Sequence, residues 1–265
     1  MQKLKYDLRG TASDECTVFL HGFLGSSKDW SSFRENLLDK YTLSIDLPGH
    51  GESVGVEAIG IPETAKQIKE IIDDLGIKKI RLVAYSLGGR IAFSIFDQFP
   101  EIITSALIIS ASPGLEQEKD RTMRLHIDQQ LAQKLENQDF ATFLTDWYEL
   151  AIFNKLRESR NFVDLIRTRM DNDKLALSKT MVAYSPGTMP QYWDMLKENK
   201  VPLVYLAGKE DMKYSSTALK MSATSSNVKV NVIPGCGHAI MVEKPDFFGK
   251  VLNEFLNKDY SNIEN

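Results

Sequence analysis

Ser86 interrupts an apolar run, Leu82-Val-Ala-Tyr-Ser-Leu-Gly-Gly-Arg90. Aliphatic residues stop at the serine and small residues follow at once. This is the shape of a strand-to-helix turn so tight that the hydroxyl stands clear above a sheet. Such a turn ordinarily carries glycine two positions before and two after the serine, because neighbouring backbone comes too close for a side chain. Here those positions are Ala84 and Gly88. An exposed Ser-Leu-Gly-Gly turn without chemistry is the alternative. A serine hydroxyl becomes reactive only when a base takes its proton, and that base needs an orienting group. The chain has four histidines. His21 and His50 lie upstream in turns, and His126 lies in a polar helical stretch. His238 ends the Gly-rich loop that follows a predicted strand at 228–233, and Asp211 ends the loop after another apolar run that starts at Val204. Glu210, beside Asp211, is the rival acid.

Ser86, Asp211 and His238 therefore each stand just past a predicted strand, in the chain order that α/β-hydrolases use for nucleophile, acid and base. A buried strand at 16–20 runs into His21-Gly-Phe-Leu-Gly-Ser-Ser, a turn that frees backbone N–H groups. The amide of Phe23 and that of Leu87, the residue after the serine, are expected to converge on a developing oxyanion. His21 is expected to brace its loop, and Asp46-Leu-Pro-Gly-His-Gly, after a strand at 41–45, to form a structural turn.

The elements that must hold these residues alternate between apolar strands and helical patterns, as a parallel sheet requires. Helices are expected at 62–75, with proline in the first turn, at 87–99 and at 247–256. From 116 to 197 the alternation stops and only helical periodicity remains, until Val201-Pro-Leu restarts the sheet. The expected fold is α/β: a mostly parallel central sheet with helices on both faces, its core formed by 1–115 and 198–265, and a helical lid inserted at 116–197 after a strand at 105–109.

A chain of 265 residues, 43% hydrophobic and 26% charged, can bury one substantial core. Its net charge of −4 gives no electrostatic case for nucleic acid or anionic membrane. The N-terminal residues Met-Gln-Lys-Leu-Lys-Tyr-Asp lack an apolar core segment and no apolar span approaches membrane length, so a cytoplasmic protein without membrane insertion is expected. Two cysteines, Cys16 and Cys236, support neither a disulfide framework nor a thiolate metal site, and Cys236 reads as a packing residue. Nothing in the sequence sets the oligomeric state.

Six of the ten arginines fall in the insertion: Arg121, Arg124, Arg157, Arg160, Arg167 and Arg169. Acidic residues balance them, so most read as solvated helix faces, and removal of Arg157 is expected to change little. Arg121 and Arg124 share a helix face. Arg90 stands one turn beyond Ser86 on an otherwise apolar helix, where a charge is harder to dismiss. Trp147 and Tyr148 read by default as core aromatics of the insertion.

Phe19-Leu-His-Gly-Phe, Asp46-Leu-Pro-Gly-His-Gly, Tyr85-Ser-Leu-Gly-Gly-Arg90, Ser112-Pro-Gly-Leu115, Asp146-Trp-Tyr148, Gly187-Thr-Met-Pro190 and Gly208-Lys-Glu-Asp211 together resemble the 2-succinyl-6-hydroxy-2,4-cyclohexadiene-1-carboxylate (SHCHC) synthases of menaquinone biosynthesis, a branch of the α/β-hydrolase superfamily. The resemblance spans nearly the whole chain. His-Gly-Phe and the triad are shared widely, whereas Tyr-Ser-Leu-Gly-Gly-Arg with Ser-Pro-Gly-Leu, the arginine pair and Asp-Trp-Tyr is more specific. The family usually has glycine where this chain has Ala84.

The resemblance implies a lyase that eliminates pyruvate from 2-succinyl-5-enolpyruvyl-6-hydroxy-3-cyclohexene-1-carboxylate, with Ser86, His238 and Asp211 abstracting a proton and with no metal or organic cofactor. The substrate has three carboxylates. By the family pattern Arg90, Arg124 and Arg169 are the anion-binding positions, with Arg167 the rival of Arg169, while Tyr85, Trp147 and Tyr148 line the pocket. Two other classes stay open: a serine hydrolase of esters, thioesters or carbon–carbon bonds, and a non-catalytic ligand receptor on the same fold.

Overall fold

The computed structural model describes residues 2–257. Among these residues seven strands form one sheet: β1 (Tyr6–Arg9), β2 (Glu15–Leu20), β3 (Thr42–Ile45), β4 (Lys79–Tyr85), β5 (Ile103–Ile109), β6 (Leu203–Gly208) and β7 (Val228–Ile233). Their spatial order is β1-β3-β2-β4-β5-β6-β7. Only the β1–β3 pairing is antiparallel. The short edge strand β1 is absent from the sequence-based expectation. Its four residues, Tyr-Asp-Leu-Arg, alternate between exposed and half-buried, too brief and polar a pattern to separate from a loop.

Alternate residues of the inner strands enter opposite cores, as the two-residue period of a strand demands. Leu82 and Ala84 of β4 face one cluster while Val83 faces the other, and Ala106 and Ile108 are likewise set against Leu107 and Ile109. The first cluster is closed by α2 (Ile61–Asp74), α3 (Leu87–Gln98) and α10 (Met212–Thr224), which supply Ile68, Ile91 and Met221. The second is closed by α12 (Pro245–Leu256), which supplies Phe248 and Phe255, and by helices inserted between β5 and β6. The short helix α1 (Ser31–Arg34) follows the β2 loop and α11 (Ile240–Glu243) precedes α12. The helix α10 escapes the sequence reading, because its Ser- and Thr-rich run carries a weak apolar stripe.

The inserted helices are α4 (Glu118–Asn137), α5 (Phe140–Tyr148), α6 (Asn154–Arg157), α7 (Phe162–Arg169), α8 (Lys174–Ala183) and α9 (Trp193–Glu198). Asp139 and Asp173 cap α5 and α8 by accepting from the amides of Thr142 and Ala176, which satisfies donors that helix starts leave open.

After β2 the chain turns to one side to form β3; after β4 it turns to the other to form β5. Adjacent parallel strands whose following loops diverge leave a crevice at their carboxyl ends, where α/β sheets place ligands. Leu20 and Ala84 are paired across β2 and β4, so the His21–Ser26 loop and Ser86 stand side by side at that crevice.

Candidate active site

Ser86 has φ 50° and ψ −104°, a left-handed conformation that a non-glycine residue holds only where its surroundings enforce it. The Ser86 amide donates to Ile109 O at 2.9 Å and the Gly88 amide to His21 O at 2.9 Å. A Cβ on Gly88 would come within 2.4 Å of Leu20 O, so the second small residue of the motif is sterically required. Ala84 is fully buried in the core between Leu20 and Ile108, and its methyl is accommodated there.

The ring of His238 joins the two other residues. Its Nε2 lies 3.1 Å from Ser86 Oγ and its Nδ1 lies 2.7 Å from Asp211 Oδ2. Asp211 Oδ1 also accepts from the Tyr214 amide at 3.2 Å, because Asp211 is the N-cap of α10. Glu210 faces elsewhere: its carboxylate accepts from the amides of Gly235 and Cys236 at 2.9 and 2.8 Å, bracing the loop that carries the histidine. The imidazole packs among the rings of Tyr85, Phe153 and Tyr214, with centroids 5.3, 5.7 and 4.9 Å away.

Among the described residues no hydrogen bond uses the amide of Phe23 or of Leu87. Leu87 is the first residue of α3, where an amide has no partner within the helix. His21 is fully buried; its Nδ1 meets Gly22 O at 2.8 Å and its Nε2 accepts from the Leu47 amide at 3.0 Å. Burial lowers its pKa, keeping the ring a neutral brace between two loops. Asp46 accepts from the amides of Ser27 and Glu52 at 2.6 and 3.0 Å, holding the turn it begins.

Ser86 and His238 open into a cavity of about 790 Å³ whose wall includes Arg90, Arg124 and Arg169, together with Tyr85, Trp147 and Tyr148. Trp147 packs 5.3 Å from Phe23, which joins the insertion to the loop after β2. Arg90 donates to Tyr184 O, and burial pulls its guanidinium down to about 10 despite Tyr214 and Asp128 nearby. Arg124 Nε bridges both oxygens of Asp128 at 2.9 and 2.8 Å. Arg121 shares the helix but not the cavity, since it turns back to Leu115 O and Glu116 O. Arg167 is 75% exposed and pairs with Asp164, whereas the Arg169 side chain is 7% exposed. The fork of Arg169 grips Asp29 at 2.7 and 2.8 Å, and its Nε–H has no partner among the described residues. Burial works against the charge of Arg169, but Asp29 and Tyr148 outweigh it and raise the pKa. Burial likewise raises the phenols of Tyr85 and Tyr148. Arg157 is not decorative: its Nη1 donates to Tyr148 O at 2.5 Å.

Several cavity residues were not anticipated. Asp128 could have been found, since it stands four residues after Arg124 on one helix. Asp29, Lys28, Lys213 and Tyr214 had no such signal, because only the folded chain brings them to the cavity. Cys16 and Cys236 are both free and buried. Among the described residues no cluster of three or more His, Cys, Asp or Glu side chains could hold a metal ion, and no helix is long and apolar enough to cross a membrane.

A strained serine at the crevice of a doubly wound sheet, hydrogen-bonded to a histidine and through it to an aspartate, is the architecture of an α/β-hydrolase. The model of the alpha/beta hydrolase fold family matches residues 18–245, and the chain belongs to that family. Within it, the chain is 31% identical over 249 residues to 2-succinyl-6-hydroxy-2,4-cyclohexadiene-1-carboxylate synthase of Serratia proteamaculans, covering 94% of this chain and 95% of the relative. It is 32% identical over 243 residues to the synthase of the same name from Yersinia pestis, covering 91% and 87%. The solved structure of MenH from S. aureus superposes with a TM-score of 0.89 at 30% identity, covering 98% of this chain and all of that one. A thermophilic esterase from Thermogutta terrifontis, at 19% identity and a TM-score of 0.79, shares the fold.

Proposed function

We propose that this protein is an SHCHC synthase, which eliminates pyruvate from 2-succinyl-5-enolpyruvyl-6-hydroxy-3-cyclohexene-1-carboxylate in menaquinone biosynthesis. The observation that carries the reading is the hydrogen-bonded Ser86–His238–Asp211 chain opening onto a cavity walled by three arginines, in a chain similar to synthases of that name along nearly its whole length.

Asp211 holds the His238 Nδ1–H, so that Nε2 faces Ser86 as an acceptor and takes the hydroxyl proton. The serine oxygen in turn removes a ring proton from the substrate. The C–H electron pair passes into the succinyl carbonyl, whose oxygen the Phe23 and Leu87 amides stabilise as charge develops. Return of that pair expels the enolpyruvyl oxygen, and the departing three-carbon fragment takes up a proton to become pyruvate. No bond to Ser86 forms. Bidentate pairing with guanidinium suits a substrate of three carboxylates. Arg90 and Arg124 present their charges to the cavity, and Arg169 offers its Nε–H. Tyr85, Trp147 and Tyr148 supply the apolar wall, and the insertion at 116–197 acts as the lid. Such a polar small-molecule substrate fits a cytoplasmic enzyme, and the proposed chemistry requires no metal or organic cofactor.

The test is incubation of the protein with the enolpyruvyl substrate, with pyruvate release measured against the spontaneous background. Release well above background with no mass added to Ser86 is the expected result. No release above background, or an acyl-enzyme trapped from that same substrate, refutes the reading in favour of a hydrolase or a receptor.

A further inference from the structure

The insertion is tied to the loop after β2 by two contacts that cross about half the chain. Arg169, the last residue of α7, grips both oxygens of Asp29. Three residues on, Asn172 Nδ2 donates to Leu24 O at 3.0 Å and to Arg169 O at 2.9 Å, which locks the end of the helix to the same loop. Both contacts lie within six residues of Phe23. The loop is shaped for them. Leu24 is fully buried at φ 66°, a left-handed conformation that points its carbonyl at Asn172. A Cβ on Gly25 would stand 2.4 Å from Asp29 Oδ2, so the absent side chain leaves room for the carboxylate to turn toward Arg169. On its other flank the loop is pinned by the Ser27 amide donating to Asp46 at 2.6 Å. Asp29 and Arg169 are shielded from water, with side chains 20% and 7% exposed, where an ion pair has defined geometry and losing one partner strands a buried charge.

We propose that Asp29 is a positioning residue: by holding the fork of Arg169 it fixes the loop that carries the Phe23 amide to the inserted helices, so that the oxyanion site is complete only when the insertion is seated. This rests on the reading of Phe23 and Leu87 as the oxyanion donors. Asp29 touches no reacting atom and acts through the backbone six residues before it. Arg169, on this account, spends its bidentate face on the protein, with Nη1 and Nη2 both on Asp29. The consequence is a coupling of substrate enclosure to catalytic competence, because a displaced α7 releases the loop and withdraws a donor from the transition state.

The experiment uses Asp29→Asn in the full chain, with two readouts. One is the second-order rate of Ser86 phosphonylation by a fluorophosphonate probe, which needs the same hydroxyl and the same two amides whatever the natural substrate. The other is kcat and KM for pyruvate release. The expected result is a fall of roughly 10- to 100-fold in both the labelling rate and kcat, as a misplacement of about an ångström produces, with KM changed less than about threefold. Asp29→Glu should recover part of the loss, and Asn172→Ala, which removes only the second tie, should shift both readouts in the same direction. Unchanged labelling and kcat with an altered KM overturns the proposal and makes Asp29 a mere counter-ion of Arg169. If Asp29→Asn does not fold, the same two readouts on Asn172→Ala decide between these outcomes. If the protein releases no pyruvate at all, the labelling arm still tests the coupling, and the failure belongs to the assigned reaction alone.

Discussion

Removing Arg124 tests whether the cavity recognises carboxylates, and its cost can be worked from the geometry. In the folded protein Arg124 lies across Asp128 at 2.8 and 2.9 Å, with side chains 32% and 3% exposed. Arg124→Ala therefore does two things. It deletes a charge-assisted hydrogen bond to a substrate carboxylate, worth about 1.5–3 kcal/mol. It also leaves the buried Asp128 carboxylate unpaired in the wall of a cavity that must admit an anion. The partial exposure of Arg124 screens the second effect to about 1 kcal/mol. The sum is about 2.5–4 kcal/mol of transition-state binding, or roughly 70- to 1,000-fold in kcat/KM. The double variant Arg124→Ala, Asp128→Asn removes the stranded charge and should regain about fivefold. Arg167→Ala is the control, since its exposed pair with Asp164 is of the kind that contributes 0–1 kcal/mol and it stands outside the cavity. Arg157 would be a poor control because it holds Tyr148 O. Steady-state kinetics of pyruvate release measure all four proteins. Equal losses for Arg124→Ala and Arg167→Ala, or a loss below about threefold for Arg124→Ala, would show that the arginine acts only through stability or net charge.

Three further outcomes are expected. Ser86→Ala should lower turnover by several orders of magnitude while equilibrium binding of substrate stays within a few fold, and intact mass of the quenched wild-type reaction should show no adduct. Asp211→Asn should lower kcat by about 10³–10⁴-fold, because the amide no longer holds His238 in the useful tautomer; Glu210→Gln, which loses only charge toward the Gly235 and Cys236 amides, should retain turnover within about tenfold, and the reverse ranking would reassign the acid. His50 is fully buried and burial lowers its pKa from 6.5 to about 3. The unfolded chain therefore binds more protons between those values, and stability falls as pH drops through that window, by up to about 1.4 kcal/mol per pH unit. Urea midpoints followed from pH 7 to 4.5 should show a shallower decline in His50→Gln, and parallel curves for the two proteins would remove His50 from the acid response.

Much of the site could be read without the fold because each of its central residues terminates a strong local pattern. Apolar runs end at Tyr85, Gly208 and Ile233, and a parallel sheet gathers all such ends along one edge, so Ser86, Asp211 and His238 had to fall near one another once the sheet was parallel. The i,i+4 spacing of Arg124 and Asp128 was equally local. What sequence could not decide was the direction of side chains and the meeting of distant segments. Glu210 and Asp211 are adjacent carboxylates; the first turns to the amides of Gly235 and Cys236, and the second caps α10 and meets His238. Arg167 and Arg169 are two apart on a helix, hence on different faces, and only the packing of α7 against the β2 loop puts the second inside. Asp29 has no motif at all. Its partner is 140 residues away, and no periodicity reports a contact of that range, because local pattern encodes which face of an element is apolar and leaves to the tertiary structure which polar group waits across the gap.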